Sequence, residues 1–343
     1  MTPAATSLSP TPAVAAPVIL TPGDPAGIGA EITLKAHAAG ERGFAIMEDP
    51  QRLADLADRL DITAGLHVID RLAEIDPADD RLAVIPLAWA ETPRAGIAEP
   101  RNAPIVIDSI RMAAGLARDG GAAAMVTNPI NKAVLKAAGF DHPGHTEFLA
   151  TLSTPRAGAP TMMLACDDLR VVPVTIHMAL KDVPAALTGD DIFTKGMLLA
   201  ETLRRDFSCP NPRIAVCGLN PHAGEDGQFG DEDRRIIAPA VERLQSAGMT
   251  AFGPVSADTL FHRRARETYD GVLGMYHDQV LIPIKTIDFD GGVNVTLGLD
   301  FIRTSPDHGT AFDIAGTGTA EAGSLIAAIR MARSMAMNRH VNG

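Results

Sequence analysis

Residues 21–31 read TPGDPAGIGAE and follow directly on the apolar run Pro17-Val18-Ile19-Leu20. A glycine-rich turn between a first strand and a helix raises the dinucleotide fingerprint Gly-x-Gly-x-x-Gly, in which a pyrophosphate rests on the helix N-terminus. This stretch does not match it. Its glycines stand at 23, 27 and 29, and Asp24 and Pro25 interrupt the first turn. A standard pyrophosphate cradle is therefore not expected, and a plain tight strand-to-helix connection competes with a functional turn.

Outward from this turn, short apolar runs alternate with longer amphipathic ones, the rhythm of a mostly parallel sheet covered on both faces. Strands are expected at 18–20, 44–47, 66–69, 82–86, 123–127, 161–165, 169–175, 213–218 and 271–275. Helices are expected at 30–38, 52–60, 103–118, 132–138, 190–206, 231–247, 258–269 and 323–337. No 20–50-residue period repeats, which excludes a solenoid or propeller. The stretch Ile287 to Thr319, rich in Gly, Asp and Thr, reads as a long functional loop.

The 343 residues are enough for two α/β domains sharing a cleft, and the formal charge of -12 leaves no electrostatic footprint for nucleic acid or an anionic membrane surface. An anionic small substrate must then meet a local basic pocket. Cys166, Cys209 and Cys217 form no Cys-x-x-Cys pair and are odd in number, so reduced thiols in a cytoplasmic protein are expected. Residues 1–16 hold no Lys or Arg and are interrupted by proline, which fits a disordered tail and not a secretory signal. No apolar run approaches the ~20 residues of a membrane span.

Three histidines follow strand-like runs: VVPVTIH ends at His177, IAVCGLNPH at His222 and YDGVLGMYH at His277. Carboxyl ends of parallel strands share an edge, where open α/β folds bind ligands. Three imidazoles there can hold a divalent metal with positions left for substrate oxygens. Zinc fits first, with cobalt, nickel or magnesium as substitutes. Against this stands the spacing of 45 and 55 residues, unlike the close pairs of zincins or fingers, and a histidine at a strand end also serves as a hydrogen-bonded loop residue.

In DHPGHTEF, residues 141–148, His145 and Thr146 precede an apolar helix start, where Thr146 either simply caps the helix or leaves amide donors free for an anion. Lys285 in VLIPIK, Asn294 in GGVNVTLGL and Arg303 in LDFIRTS are polar residues in apolar surroundings. They suit a phosphate pocket, and internal pairing with Asp288, Asp290 or Asp300 is the rival. The run HRRAR at 262–266 reads as a solvated helix face.

Together, GDPAGIG, TNPINK, GHTEF, GLNPHAGE, YHDQ and GVNVTLGLDFIRTSPDHGTA resemble the 4-hydroxythreonine-4-phosphate dehydrogenase family of vitamin B6 biosynthesis, over roughly residues 17 to 338. The resemblance implies the two-domain isocitrate and isopropylmalate dehydrogenase-like fold, α/β/α layers with a cleft. Residues 17–143 with 278–343 would form the cofactor-side domain and 144–277 the metal and dimerisation side. It implies metal ligands His177, His222 and His277, the third from the partner subunit of a homodimer with a shared active site. It implies a small phosphorylated hydroxy-amino-acid substrate bound by His145, Thr146, Lys285, Asn294 and Arg303.

TPGDPAGIGAE resembles the PGDGIG turn of those decarboxylating dehydrogenases, which places Gly23, Asp24, Gly27 and Gly29 near NAD, or NADP. DHGTAFDIAGTG at 307–318 resembles their adenosine-holding loop and brings in His308, Gly309 and Thr310. Lys285 and a water on the metal are both candidates for the proton acceptor, and Asp258 for orienting a ligand or the substrate amine. Many members carry a histidine and a glycine in the segment that reads VTNPINK here, where Asn128 and Asn131 stand. Close paralogues oxidise phosphorylated sugar acids or a dihydrodiol carboxylate. A phosphate-acyl transferase or a phosphometabolite-binding protein is the more distant alternative.

Overall fold

The computed structural model describes residues 16–342 apart from Pro77, Pro143 and residues 155–158; the tail expected over 1–16 lies, but for Ala16, outside them. Among the described residues, twelve strands join one sheet. They are β1 Val18–Thr21, β2 Phe44–Glu48, β3 Leu66–Val68, β4 Leu82–Pro86, β5 Ala124–Thr127, β6 Thr161–Cys166, β7 Leu169–Pro173, β8 Arg213–Cys217, β9 Thr250–Val255, β10 Gly271–Gly274, β11 Val293–Leu297 and β12 Arg303–Pro306. Their order is β3-β4-β2-β1-β5-β12-β11-β6-β7-β10-β8-β9.

The strands β3, β4, β2, β1, β5 and β12 are parallel, as are β7, β10, β8 and β9. Between the groups, β11 is antiparallel to β12 and to β6, and β6 is antiparallel to β7. Three reversals set the two parallel groups pointing opposite ways. One face of the middle strands therefore spans from the carboxyl ends of one group to those of the other.

Both faces of the sheet are covered, which gives α/β/α layers. Val18 and Leu20 of β1 enter one core and Ile19 the other, so this strand is apolar throughout, as parallel strands buried on both faces are. The first core runs the length of the sheet, with residues of helices Gly29–Ala38, Gly189–Asp206, Ala238–Ser246 and Gly323–Asn342. Helix Ala103–Arg118 covers the opposite face of the first group, and helix His277–Ile287 that of the second. The three cysteines are free.

The expected strands are present, but several expectations need correction. The stretch 287–319 is not one loop: it contains β11, whose VNVTL alternates apolar and polar as a strand does, and β12, whose RTSP has no apolar alternation to mark it. β9 is a further strand. The helix expected over 258–269 is not formed. A short turn at Ala257–Thr259 and a single turn at Arg263–Arg266 replace it, because the segment folds back until the buried Tyr269 hydroxyl donates to the Leu260 carbonyl. The helix expected over 231–247 opens as a wider π turn, Asp233–Ile237. Pro283 masks helix His277–Ile287 in the sequence.

Candidate active site

A cavity of about 780 Å³ lies over the middle strands, with Thr127, Ser305 and His308 toward one end and Pro173, His177 and His277 toward the other. It sits where strand polarity switches, the place where open α/β sheets take ligands. On its floor Arg303 is 5% exposed. Its guanidinium donates to the Thr127 hydroxyl (2.6 and 3.1 Å) and to the Thr296 hydroxyl (3.1 Å). Burial alone pulls this guanidinium down, to about 9.

Among the described residues no carboxylate pairs with Arg303. Asp300 is taken by Ser153 and Thr154, and Asp288 by the Gly291 amide. A buried cation without a counter-charge is costly unless an anion arrives. Arg303 also donates to Nδ1 of His145 at 3.3 Å. Nε2 of His145 is then the protonated nitrogen, and it is buried without a partner. Burial, then Arg303 and Lys132, hold this imidazole well below its ordinary range, so the ring is neutral and has one free donor.

His145 opens the helix His145–Leu152, whose cap is Gly144. Thr146 therefore lies inside the first turn on the cavity wall; the expectation that it caps the helix fails because the cap, Gly144, stands two residues earlier. Asn294 also lines the wall. Lys285 pairs at 2.7 Å with the wall residue Asp307, not with the three aspartates considered as its rivals. Asp258 is exposed on its turn, accepts from the Ser256 hydroxyl, and is not on this wall.

At the other end, Thr175 donates its amide (3.1 Å) and hydroxyl (2.7 Å) to the Met275 carbonyl and Val174 its amide to Gly274, tying the ends of β7 and β10 together. The His177 and His277 rings come within 5.9 Å, centroid to centroid. Asp278 takes Nδ1 of His277 at 2.7 Å, which leaves Nε2 as its outward nitrogen. Buried Gln279 ties in the third strand, accepting from the Met275 amide and donating to the Gly218 carbonyl at the end of β8.

His222 stands apart from the pair, exposed in a run from His222 to Asp226 in which every φ is positive. His177 has a φ of 42° as well. Left-handed backbone at non-glycine residues costs energy and gathers at ligand sites. Among the described residues of one chain no group of three or more His, Cys, Asp or Glu could hold a metal ion. The chain itself thus supplies an adjacent imidazole pair plus a third imidazole on a separate, strained loop.

The opening glycine turn is packed against protein. A Cβ on Gly23 would meet the Pro129 carbonyl at 2.5 Å, one on Gly27 the Thr310 carbonyl at 2.8 Å, and one on Gly29 the Pro22 carbonyl at 2.5 Å. Asp24 is buried and bonds the Ala26 amide, and burial raises its carboxyl. Asn128 is 1% exposed and donates to the Thr21 carbonyl and the Thr33 hydroxyl, bracing this turn, while Asn131 caps helix Lys132–Ala137. Ile28 donates to Thr310, and the buried Glu31 accepts from the Gly316 and Ala320 amides, so the 308–318 loop is lashed over the turn. Of the seven residues expected at the cofactor, His308 and Gly309 border this cavity and Gly27 a neighbouring one of about 560 Å³.

Sequence reasoning missed Thr127, Thr296, Gln279, Glu31 and Lys195. A glutamine or glutamate inside an apolar helix was the available signal for two of them.

A mixed α/β fold of opposed parallel groups around a cationic cleft is the framework of an α/β metabolic enzyme. The family model described as pyridoxal phosphate biosynthetic protein PdxA matches residues 42–332, and the chain belongs to that family. A protein of Xanthobacter autotrophicus named 4-hydroxythreonine-4-phosphate dehydrogenase is 50% identical over 335 residues, covering 94% of each chain. The crystal structure of 4-hydroxythreonine-4-phosphate dehydrogenase from Klebsiella pneumoniae matches with a TM-score of 0.86 at 40% identity, over 93% of this chain and 99% of that one. A terephthalate 1,2-cis-dihydrodiol dehydrogenase from Burkholderia xenovorans is more distant: TM-score 0.63, 27% identity, 92% of this chain and 97% of that one.

Proposed function

We propose that the protein is an NAD- and divalent-metal-dependent dehydrogenase that oxidises the secondary hydroxyl of 4-phosphohydroxy-L-threonine, working as a homodimer. The observation that carries this reading is the buried Arg303, without a counter-ion among the described residues, beside the free Nε2–H of His145, in the cavity that reaches the His177–His277 pair. A phosphate dianion satisfies both groups, Arg as a planar fork and His as a neutral donor. The relatives of this name make that phosphate the one on a hydroxy-amino acid. A dihydrodiol carboxylate, as in the Burkholderia relative's name, is the second reading. It gives the Arg303 and His145 pair only a carboxylate to hold.

His177, His222 and His277 are the metal donors in this reading, with histidines of two subunits closing the set. Three imidazoles, one oriented by Asp278, suit zinc, cobalt or another divalent ion. The ion would supply Lewis acidity to the reacting oxygen and the dinucleotide's nicotinamide the hydride acceptor, with His308 and Gly309 among the residues that would hold the adenosine half.

The chain's own residues then do the following. Arg303, His145 and Thr146 fix the phosphate, which sets the carbinol carbon at a defined distance from the histidines. In this reading Lys285, whose ammonium pairs with Asp307, first releases a proton to solvent and then, as the free amine, takes the hydroxyl proton as hydride leaves that carbon. The β-keto acid formed loses carbon dioxide, and a proton returned to the carbon completes 3-amino-2-oxopropyl phosphate. Asp258 orients the substrate amine only if it reaches the site from a second chain.

NADH formation with metal content measured on the same sample tests this. A strong preference for 4-phosphohydroxy-L-threonine over 4-phospho-D-threonate and 4-phospho-D-erythronate is expected, with loss of activity under chelation and recovery on adding back zinc or cobalt. Equal or better use of a sugar acid, or turnover indifferent to chelator, would count against it.

A further inference from the structure

The cavity holds a cation that the phosphate anchor does not use. Lys195, on helix Gly189–Asp206, lines the wall together with Pro173 and His177. Its Nζ donates to the carbonyl of Val174 at 2.5 Å, three residues before His177. Among the described residues it makes no ion pair: Asp191, one turn earlier, is held by the Thr188 hydroxyl. An ammonium has three donors, and one carbonyl leaves two of them to be satisfied.

Sheet register locates this lysine relative to Arg303. Thr296 lies opposite Met162, and the pairing of β11 with β12, continued one residue beyond Val295 and Thr304, sets Thr296 opposite Arg303. Continuing the β6–β7 pairing of Leu164 with Val171 sets Met162 opposite Pro173, next to the Val174 that holds Lys195. Arg303 and Pro173 are thus three strand spacings apart, roughly 14 Å between Cα atoms. Two long side chains reaching inward over that span leave room for a molecule with an anionic group at each end. A phosphate taken at Arg303 turns the opposite end of a four-carbon chain toward Lys195.

We propose that Lys195 binds the carboxylate of the substrate, opposite the phosphate anchor, and so selects phosphorylated acids over phosphorylated amines or alcohols of the same length. This rests on the reading of the cavity as the site of a phosphorylated hydroxy acid. Holding the carboxylate fixes the carbinol carbon from both sides, so it lies over the His177 end of the cavity.

The test compares two unreactive ligands that lack the secondary hydroxyl, O-phospho-L-homoserine and its decarboxylated counterpart 3-aminopropyl phosphate, titrated calorimetrically into the intact protein. Lys195→Met is expected to weaken O-phospho-L-homoserine by about 10- to 100-fold, the range for one hydrogen bond to a charged group. Its effect on 3-aminopropyl phosphate should stay below about threefold by the same measure. Lys195→Arg should recover most of the loss.

A lysine that merely pins Val174 would weaken both ligands alike and lower the thermal midpoint, and that result overturns the proposal. So does unchanged affinity for O-phospho-L-homoserine in the variant, or no binding of it to the wild-type protein. Because neither ligand can be oxidised, a carboxylate preference lost with Lys195 stands even if 4-phosphohydroxy-L-threonine fails as substrate, which would sink the reaction and not the carboxylate site.

Discussion

Arg303 and His145 form a pair whose preferred state is a bound one. The guanidinium is buried against hydroxyls and a neutral ring, and among the described residues no carboxylate offsets its charge. Its removal should therefore cost binding more than stability. Arg303→Met is expected to raise the KM for the phosphorylated substrate by at least about 100-fold, the loss of a multidentate charged contact. Its thermal midpoint without ligand should match or exceed wild type, and inorganic phosphate should raise the wild-type midpoint but not the variant's. A midpoint well below wild type in phosphate-free buffer would show that the arginine is a structural strut. His145 carries a pH signature. Its folded-state pKa lies below the unfolded value of about 6.5, so as pH falls past that value the unfolded chain takes up a proton that the folded one refuses. Stability is then lost on acidification, and His145→Gln should remove that share. Denaturant midpoints at pH 7.5 and 5.5 should fall further for wild type than for the variant; equal falls would mean the ring is protonated in place.

The turn 21–29 shows what a glycine pattern does and does not reveal about an element. Its spacing departs from the pyrophosphate fingerprint, and the reasons for Gly23 and Gly27 lie in partners more than a hundred residues away, the carbonyls of Pro129 and Thr310, while Gly29 meets the nearby Pro22 carbonyl as well as the side chain of Asn128. Gly29→Ala would drive a Cβ into the Pro22 carbonyl, and a loss of about 1–3 kcal/mol is expected by denaturant unfolding. Gly309→Ala, with nothing within 4 Å of the added carbon, should stay within about 0.5 kcal/mol. Similar losses for both would mean the turn can yield. The same distinction explains which elements were legible. Strands such as β1 and β5 are continuous apolar runs, and the histidines that follow β7, β8 and β10 could be placed from those runs alone. β11 carries the alternation that marks a strand, Val293-Asn294-Val295-Thr296-Leu297, and was obscured by the glycines and aspartates that flank it, whereas β12, Arg303-Thr304-Ser305-Pro306, was not legible because it has no apolar alternation. Gln279 and Glu31 act through backbone groups of distant segments, a pairing that no local window contains.

At the scale of the molecule, one chain brings His177 and His277 together and leaves His222 on its own loop. A site completed between subunits makes a prediction that a single-chain site does not. His222→Ala and His277→Ala homodimers should each be inactive and lack metal. Mixing them after unfolding and refolding should restore part of the wild-type rate, because each heterodimer retains one unmutated set; no recovery at any ratio would place all three ligands in one subunit. The sheet order has a consequence for biogenesis as well. β1 to β5 are made well before β12, yet β12 is the neighbour of β5 on its inner side in the finished sheet, and the helix Gly323–Asn342 that helps to cover this group is the last element of the described chain to be made. The nascent amino-terminal group must then wait with an open edge and an apolar face only partly covered, by helix Gly29–Ala38, while the residues from 128 to 302 are made between β5 and β12. Domains generally complete as units during synthesis. Here completion waits until helix Gly323–Asn342 has been made, so a message that stalls or stops before it yields a sticky fragment and not a working half.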